Sequence, residues 1–391
     1  MNSNEKGFNT ICTHYGELID TQFKGAISPI YLSTSYAFDG VDEKRYPRYF
    51  NTPNQQALSK KIAKLEHAES GLIFGSGMAA ISTSLFAFLQ QGDHIILQRN
   101  LYGGTINLVI EEFKRFGIEH TFVDAKNGNG FEEYIKSNTK VIYIETPSNP
   151  LLTVTDIASV TKLAKKHGLM TMIDNTFASP VNQNPILLGV DIVIHSATKY
   201  LGGHSDILAG AVVSTEENMQ RIFKMAINFG GSLSDFTVWM LERSIKTLGL
   251  RVRQQNENAM ALAQWLSQHE DVAQVYYPGL ESHPDHAVAS QQMKAYGGML
   301  SFELKENIDS SLFQKKLQLI KSSMSLAGVE STILSPTLTS HALLTEEERY
   351  HQGIRNGLLR FSLGIEEAED LIEDIEQALR VVKNQQYSVP T

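Results

Sequence analysis

The segment DIVIHSATKYLGG, residues 191–203, is the part of the sequence that most clearly indicates the fold. It opens on an apolar run of the kind found in strands that are buried on both faces, and it ends in a glycine pair. Lys199 stands between these two parts, with the hydroxyls of Ser196 and Thr198 close by in sequence. Hydroxyls at a strand end can hold a phosphate while a lysine amine condenses with an aldehyde. The segment therefore predicts a lysine-based site at the end of a buried strand.

A second buried run, TMIDN at residues 171–175, carries Asp174. A lysine and a buried carboxylate at two strand ends match what pyridoxal phosphate (PLP) requires, because the lysine binds its aldehyde carbon and the carboxylate pairs with its protonated ring nitrogen. The alternatives are a helix-capping or core aspartate and a surface lysine. A buried acid is costly unless it is paired with a positive group, which favours PLP as the cofactor.

Working outward, short apolar runs alternate with helical patterns over most of the chain. The runs are GLIFG (71–75), HIILQ (94–98), HTFVD (120–124), VIYIE (141–145), TMIDN (171–175), DIVIHS (191–196) and LAGAVVS (208–214). This alternation predicts an α/β fold with a mostly parallel seven-stranded sheet covered by helices. Mixed strands and helices near the end predict a smaller α+β C-terminal domain. We expect a coreless N-terminal arm (residues 1–55), a large domain (56–245) and the C-terminal domain (246–391).

Composition narrows the classes of function. The chain has 391 residues and a formal net charge of -9, which argues against a nucleic-acid-binding protein. No apolar run approaches the roughly 20 residues of a membrane span, and the first residues do not resemble a signal peptide. The one cysteine, Cys12, excludes an intramolecular disulfide. A cytoplasmic protein is therefore expected. No metal is expected, because neither C-x-x-C nor H-x-x-x-H occurs.

The GSGM segment, Gly75 to Met78, follows one apolar run and opens a helical pattern. Free amides at such a helix start can bind a phosphate, although a tight turn without a ligand has the same pattern. The segment also fits the dinucleotide fingerprint G-x-G-x-x-A, which would indicate a nicotinamide-dependent Rossmann enzyme. That fingerprint needs an acid at the end of the next strand, where this chain has Gln98 and Arg99. The nicotinamide alternative is accordingly disfavoured.

Five further residues are candidates for the same site. Tyr102 could stack on a flat ring or be a surface tyrosine. Asn149 could donate to a ring oxygen or simply form a turn before proline. Arg360, inside an apolar strand, could bind a substrate carboxylate or form a structural salt bridge. Tyr46 and Arg48 could bind the cofactor phosphate in a partner subunit or be ordinary surface residues.

These segments together resemble the Cys/Met-metabolism family of PLP enzymes, which includes the cystathionine synthases and lyases, methionine γ-lyase and O-acetylhomoserine sulfhydrylase. The motifs occur in the family's order: YPR, GSGM, LYGGT, ETPSNP, DNTF, HSATKYLGGHSD, SLAGVES and LRFSLGIE. The resemblance covers nearly the whole chain. It implies the aspartate-aminotransferase-like fold (PLP fold type I) and a homotetramer built from two catalytic dimers.

The resemblance also implies a role for each matching residue. Lys199 would bind the cofactor, Asp174 would pair with its ring nitrogen, and Tyr102 would stack on the ring and help activate the substrate or leaving group. The phosphate would be held by Gly77, Met78, Ser196 and Thr198, with Tyr46 and Arg48 contributed by a neighbouring subunit. The implied substrate-side residues are Asn149, Ser325, Arg360 and Glu330.

Details within the motifs point to different members of the family. Asn107 resembles the sulfhydrylases, whereas Glu330 resembles enzymes that act on the distal amine of cystathionine. We predict a carbon–sulfur lyase that performs γ-elimination on cystathionine, methionine or homocysteine. The alternatives within the family are a γ-replacement synthase, of the cystathionine γ-synthase or O-acetylhomoserine sulfhydrylase type, and a cystathionine β-lyase.

Overall fold

The computed structural model describes residues 6–124, 126–339, 345–351 and 353–386. The chain folds into two compact units. The first comprises Met1–Thr146, Thr155–Gly202 and Asp206–Leu250, and the second comprises Pro147–Val154, Gly203–Ser205 and Arg251–Thr391. Among the described helices, none combines the length and the apolar composition that a membrane span requires.

Within the described ranges, seven strands form the sheet of the first unit. They are β1 (Ser70–Phe74), β2 (His94–Gln98), β3 (Glu119–Val123), β4 (Thr139–Glu145), β5 (Met170–Asp174), β6 (Ile192–His195) and β7 (Gly210–Ser214). Their order is β1-β7-β6-β5-β4-β2-β3. Strand β7 is antiparallel to both its neighbours, while β6, β5, β4, β2 and β3 pair in parallel. The carboxyl ends of these parallel strands share one edge, which is where ligands bind in open α/β sheets.

The helices of the first unit precede, separate or follow these strands along the chain. They are α1 (Phe8–His14), α2 (Pro53–Leu65), α3 (Gly77–Phe88), α4 (Gly103–Asn107), α5 (Gly128–Glu132), α6 (Ile157–His167), α7 (Ser179–Asn182), α8 (Glu216–Phe229) and α9 (Asp235–Ile245). A π-helical turn, Leu108–Phe113, continues α4, and 3-10 turns occupy Pro47–Tyr49 and Pro185–Leu188.

Local sequence explains where α2 begins. Thr52 accepts a hydrogen bond from the amide of Gln55 at 3.2 Å, and the Gln55 side chain accepts one from the amide of Thr52 at 3.1 Å. This reciprocal capping box, with Pro53 at the first helical position, fixes the start of the helix. The apolar face of α2 packs into the core, because Leu58 and Ile62 are fully buried.

The second unit holds a smaller sheet with the order β10-β11-β12-β9-β8. Its strands are β8 (Val272–Tyr276), β9 (Met299–Leu304), β10 (Lys321–Ser322), β11 (Thr332–Leu334) and β12 (Leu358–Ser362). Only the β10–β11 pair is parallel among these described strands. The helices are α10 (Leu248–Ser267), within which the division between the units falls, α11 (His286–Gln292), α12 (Ser310–Lys316), α13 (Glu346–His351) and α14 (Ala368–Gln386), and a 3-10 turn lies at Pro336–Leu338.

The predicted fold class is confirmed: a mostly parallel seven-stranded sheet with a smaller α+β part. Strands β10 and β11 were not predicted, because two or three residues carry too little pattern. The N-terminal segment expected to lack a core contains α1, whose Cys12 is fully buried. The division of the chain at residues 55 and 245 stays a prediction.

Candidate active site

Asp174 ends β5 and is only 5% exposed. Its Oδ1 accepts hydrogen bonds from the Thr176 amide at 3.0 Å and the Thr176 hydroxyl at 2.5 Å. Within the described residues, no hydrogen bond reaches Oδ2. Burial raises the pKa of Asp174, while the bonds from Thr176 and the nearby His195 oppose that rise. A buried carboxylate with one unused oxygen is suited to a protonated ring nitrogen.

The segment after β6 bends into a turn that carries Ser196, Thr198 and Lys199. The Lys199 amide donates to the Ser196 carbonyl at 3.1 Å, and the Thr198 hydroxyl donates to the Ala209 carbonyl at 3.1 Å. The Ser196 amide donates to the Thr176 hydroxyl at 2.8 Å. Since Thr176 also binds Asp174, one hydroxyl connects the ends of β5 and β6.

Gly77 begins α3 directly beside this turn. A Cβ atom at Gly77 would lie 2.8 Å from Cβ and 3.0 Å from Oγ of Ser196, so only glycine permits this approach. Ser76 caps the helix by accepting from the Ala79 amide at 3.1 Å. The first turn of α3 therefore brings amides next to the Ser196 hydroxyl, an arrangement that suits an anion.

Tyr102 precedes α4, and its side chain is 52% exposed. Its amide donates to Oε2 of Glu145 at 2.7 Å, which ties the loop to the end of β4. A Cβ atom at Gly104 would lie 2.5 Å from the Tyr102 ring and 3.0 Å from Sδ of Met78. Five predicted residues therefore lie close together: Tyr102 and Met78 both lie beside Gly104, Gly77 lies beside Ser196, and Thr176 connects Ser196 to Asp174.

Tyr46 and Arg48 lie in and beside the Pro47–Tyr49 turn, and both are exposed. The Arg48 guanidinium donates to the Ile227 carbonyl, and its Cζ lies 4.9 Å from the centre of the Tyr49 ring. Within the described part of the chain, neither side chain bonds to the residues around Asp174. Their action in a neighbouring subunit stays a prediction.

Three of the predicted substrate-side residues meet within the second unit. Arg360, in β12, donates through Nη1 to Oδ1 of Asn149 at 3.1 Å and through Nη2 to the Ser325 carbonyl at 2.9 Å. Asn149 and Arg360 are buried. Glu330 is exposed, and its Oε1 lies 3.8 Å from Nζ of Lys321. The salt-bridge alternative for Arg360 stays open beside the carboxylate role.

Two residues of this arrangement were missed from the sequence. Thr176 connects Asp174 to Ser196, and Glu145 holds the amide of Tyr102. The sequence did contain features that could have indicated them. Glu145 is an acidic residue at the end of an apolar run, and Thr176 stands two residues after Asp174. A buried acid at a strand end calls for a partner, which the sequence alone does not identify.

A surface groove of about 750 Å³ lies elsewhere in the first unit, lined by residues that include Phe88, Met170, Asp191 and Arg221. Met170 is the first residue of β5 and Asp174 the last, so the groove marks the opposite edge of the sheet. Among the described residues, no group of three or more His, Cys, Asp or Glu is placed to hold a metal ion.

A sequence profile of the family described as Cys/Met metabolism PLP-dependent enzyme matches residues 9–380. The chain belongs to this family. It is 44% identical over 376 residues to cystathionine beta-lyase MetC of Bacillus subtilis, covering 94% of this chain and 96% of that protein. It is 38% identical to the L-methionine gamma-lyase of Fusobacterium nucleatum, covering 98% of this chain and 100% of that protein.

Solved structures agree with this family membership. The crystal structure of cystathionine gamma-lyase from Lactobacillus plantarum complexed with L-serine has a TM-score of 0.93 and 39% identity, covering 97% of this chain and 100% of that chain. The predicted PLP fold type I is thereby confirmed. The residues present fit the family's cofactor, because the buried residue Asp174 has a carboxylate oxygen, Oδ2, that Thr176 does not engage, and Gly77 brings the α3 amides to Ser196. The chain is a PLP-dependent enzyme of the transsulfuration class.

Proposed function

We propose that this enzyme cleaves carbon–sulfur bonds by γ-elimination, with cystathionine, methionine or homocysteine as substrate. The observation that carries the proposal is the position of Asp174 and the Lys199 turn at the carboxyl ends of the neighbouring strands β5 and β6. The family match over residues 9–380 supports the reaction class.

In this proposal the first unit holds PLP. Lys199 would bond to the aldehyde carbon, Asp174 would keep a proton on the ring nitrogen, and the ring of Tyr102 would stack on the cofactor. The phosphate would be held by Gly77, Met78, Ser196 and Thr198, joined by Tyr46 and Arg48 of a neighbouring subunit. When bound, PLP supplies an electron sink for negative charge at the substrate Cα.

The chain's own side chains then orient the substrate and move protons. Arg360 binds the α-carboxylate through its planar fork, supported by Asn149 and Ser325. Once the substrate amine has released it, the Lys199 amine would remove the Cα proton and carry protons to and from Cβ, and Tyr102 would assist at the leaving sulfur. Glu330, whose carboxylate is exposed, would meet the distal amine of cystathionine.

We also propose that the enzyme is a cytoplasmic homotetramer made of two catalytic dimers. Exposed large apolar side chains on the segment between α1 and α2 support an assembly, because burying apolar surface between subunits is favourable. These residues include Tyr15, Ile19, Phe23, Ile27, Leu32, Phe38 and Val41. The single cysteine, Cys12, is consistent with a reducing compartment.

Product analysis tests the reaction. With cystathionine, γ-elimination yields cysteine, 2-oxobutanoate and ammonia, whereas β-elimination yields homocysteine, pyruvate and ammonia. We expect 2-oxobutanoate. Pyruvate would instead assign the β-lyase reaction. That reaction is the main alternative because the chain is 44% identical to cystathionine beta-lyase MetC.

A second arm of the assay supplies O-acetyl- or O-succinylhomoserine with cysteine. Asn107 and the 44% identity to the cystathionine gamma-synthase/O-acetylhomoserine (thiol)-lyase of Bacillus subtilis favour replacement as the second candidate function. Faster replacement than elimination would establish it. Absence of any 2-oxoacid or replacement product from all these substrates would refute the proposed function.

A further inference from the structure

A cluster of buried polar side chains lies behind the predicted cofactor site in the first unit. We call it the Glu66 cluster. All its members are at most 6% exposed: Glu66, Asn175, Gln183, Asn184 and His195. None of them was assigned a role in cofactor or substrate binding.

Glu66, directly after α2, is the common acceptor of the cluster. Its Oε1 lies 2.6 Å from Nε2 of His195 and 2.8 Å from Nδ2 of Asn175. Its Oε2 lies 3.3 Å from Nδ2 of Asn184. Removing one partner from such a buried network leaves polar groups that water cannot reach, which is expensive.

The two donors to Oε1 stand next to the predicted cofactor residues. His195 ends β6 and precedes Ser196, while Asn175 follows Asp174 at the end of β5. The Asn175 amide donates to the Ile194 carbonyl at 2.9 Å, so strand pairing continues to this point. Successive side chains of a strand point to opposite faces. Glu66 therefore bonds to the two strand ends on the face opposite to that of Asp174.

The cluster extends to a third strand end. Gln183 donates through Nε2 to Oδ1 of Asn175 at 2.9 Å and to the Thr146 carbonyl at 3.1 Å. Thr146 directly follows β4, whose last residue, Glu145, holds the amide of Tyr102. The ends of β4, β5 and β6 are therefore joined by one set of buried hydrogen bonds.

We propose that Glu66 is a positioning residue of the cofactor site. It sets the spacing between Asp174, at the ring nitrogen, and Ser196, at the phosphate, without touching PLP itself. This inference rests on the proposed cofactor site. Loss of the Glu66 bonds lets the two strand ends shift, and a rigid cofactor held at both ends then binds less tightly.

The chain offers a matched control at the other end of the same two strands. Oδ2 of Asp191, just before β6, accepts from the amide and the hydroxyl of Thr171, near the start of β5, both at 2.7 Å. Asp191→Ala loosens the same strand pair far from Asp174. A purely structural role for Glu66 would give Glu66→Gln and Asp191→Ala the same consequences.

The experiment compares apoproteins of the unmodified chain, Glu66→Gln and Asp191→Ala. PLP dissociation constants are measured by titration, circular dichroism of the bound cofactor reports its orientation, and urea unfolding reports stability. We expect Glu66→Gln to weaken PLP binding about tenfold or more, as for a lost bond to a charged group, and to alter the cofactor dichroism. Asp191→Ala should lower the urea midpoint and leave both cofactor signals unchanged.

Unchanged PLP affinity and dichroism in Glu66→Gln would overturn the inference, as would equal losses in both variants. If Glu66→Gln does not fold, Asn175→Ala, which removes one donor and keeps the carboxylate, takes its place with the same expectation. An unmodified apoprotein that bound no PLP would instead refute the proposed function, so the two failures are distinguishable.

Discussion

Asp174 is the residue on which the electrostatics of the site depend. Its carboxylate is buried, one oxygen is engaged by Thr176, and burial raises its pKa. Because burial favours the neutral acid, the ionised side chain destabilises the apoprotein at neutral pH, and a bound cationic group would offset that destabilisation. A buried group that lowers the stability of the fold in this way is typical of functional sites.

Asp174→Asn should therefore stabilise the apoprotein and impair the enzyme. The unfolded carboxyl titrates near its ordinary value of 3.8 and the folded one above it, so apoprotein stability falls as pH rises through that window. Asp174→Asn has no carboxylate to ionise, so its free energy of unfolding does not fall in this window. In urea unfolding the variant should be more stable than the unmodified apoprotein at pH 7, and this difference should be absent below the unfolded pKa. PLP affinity should drop roughly ten- to a hundredfold. Normal affinity in the variant would make Asp174 a structural acid.

Sequence singles out Asp174 and Lys199 as candidates because each is a chemically distinctive residue close to the end of an apolar run. It could not assign Glu66, which bonds to a histidine 129 positions away. Nothing local in LEHAE distinguishes a buried acceptor from an ordinary helix-terminal acid. The pairing of Glu66 with His195 exists only once α2 and β6 are packed together.

At the scale of elements, the strands of the large sheet were predictable because strands buried on both faces are continuously apolar. The N-terminal segment was not, because its contacts are long-range polar ones. Lys61 of α2 is fully buried, and its Nζ donates to the Cys12 carbonyl of α1 at 3.1 Å and lies 3.5 Å from Glu242 of α9. Ser28 also donates to Glu242, at 2.9 Å.

Lys61→Met should accordingly loosen the packing of α1, α2 and α9. It leaves the Glu242 carboxylate buried without its cation, and breaking a buried pair in this way costs on the order of 3–5 kcal/mol. The measurement is urea unfolding, with Lys60→Met on the exposed face of the same helix as control, expected within about 0.5 kcal/mol of the unmodified protein. Equal stability of the two variants would show that the buried pair does not hold these helices together.

At the scale of the whole molecule, the proposed assembly makes each active site depend on two chains. In that assembly Lys199 would come from one subunit, and Tyr46 and Arg48 would come from its neighbour. The exposed positions of Tyr46 and Arg48, away from Asp174 in their own chain, agree with this arrangement. Sequence could suggest it only through family resemblance, because an interface between copies leaves no periodic pattern.

Complementation tests the shared site. Lys199→Ala and Arg48→Ala proteins should each be inactive, but a mixed dimer contains one intact site. Random mixing in a two-fold symmetric dimer should restore about a quarter of the unmodified activity. No recovery, despite subunit exchange verified by mass spectrometry of the mixed dimers, would place Arg48 in its own subunit's site or outside the site.

The most direct test of the central claim, that this is a PLP enzyme working through Lys199, is borohydride reduction of the purified protein followed by peptide mapping. The account predicts a yellow protein with absorbance near ~420 nm, which reduction bleaches while leaving the cofactor covalently attached to Lys199 alone. Attachment to a different lysine, or a colourless protein that binds a nicotinamide nucleotide instead, would contradict it.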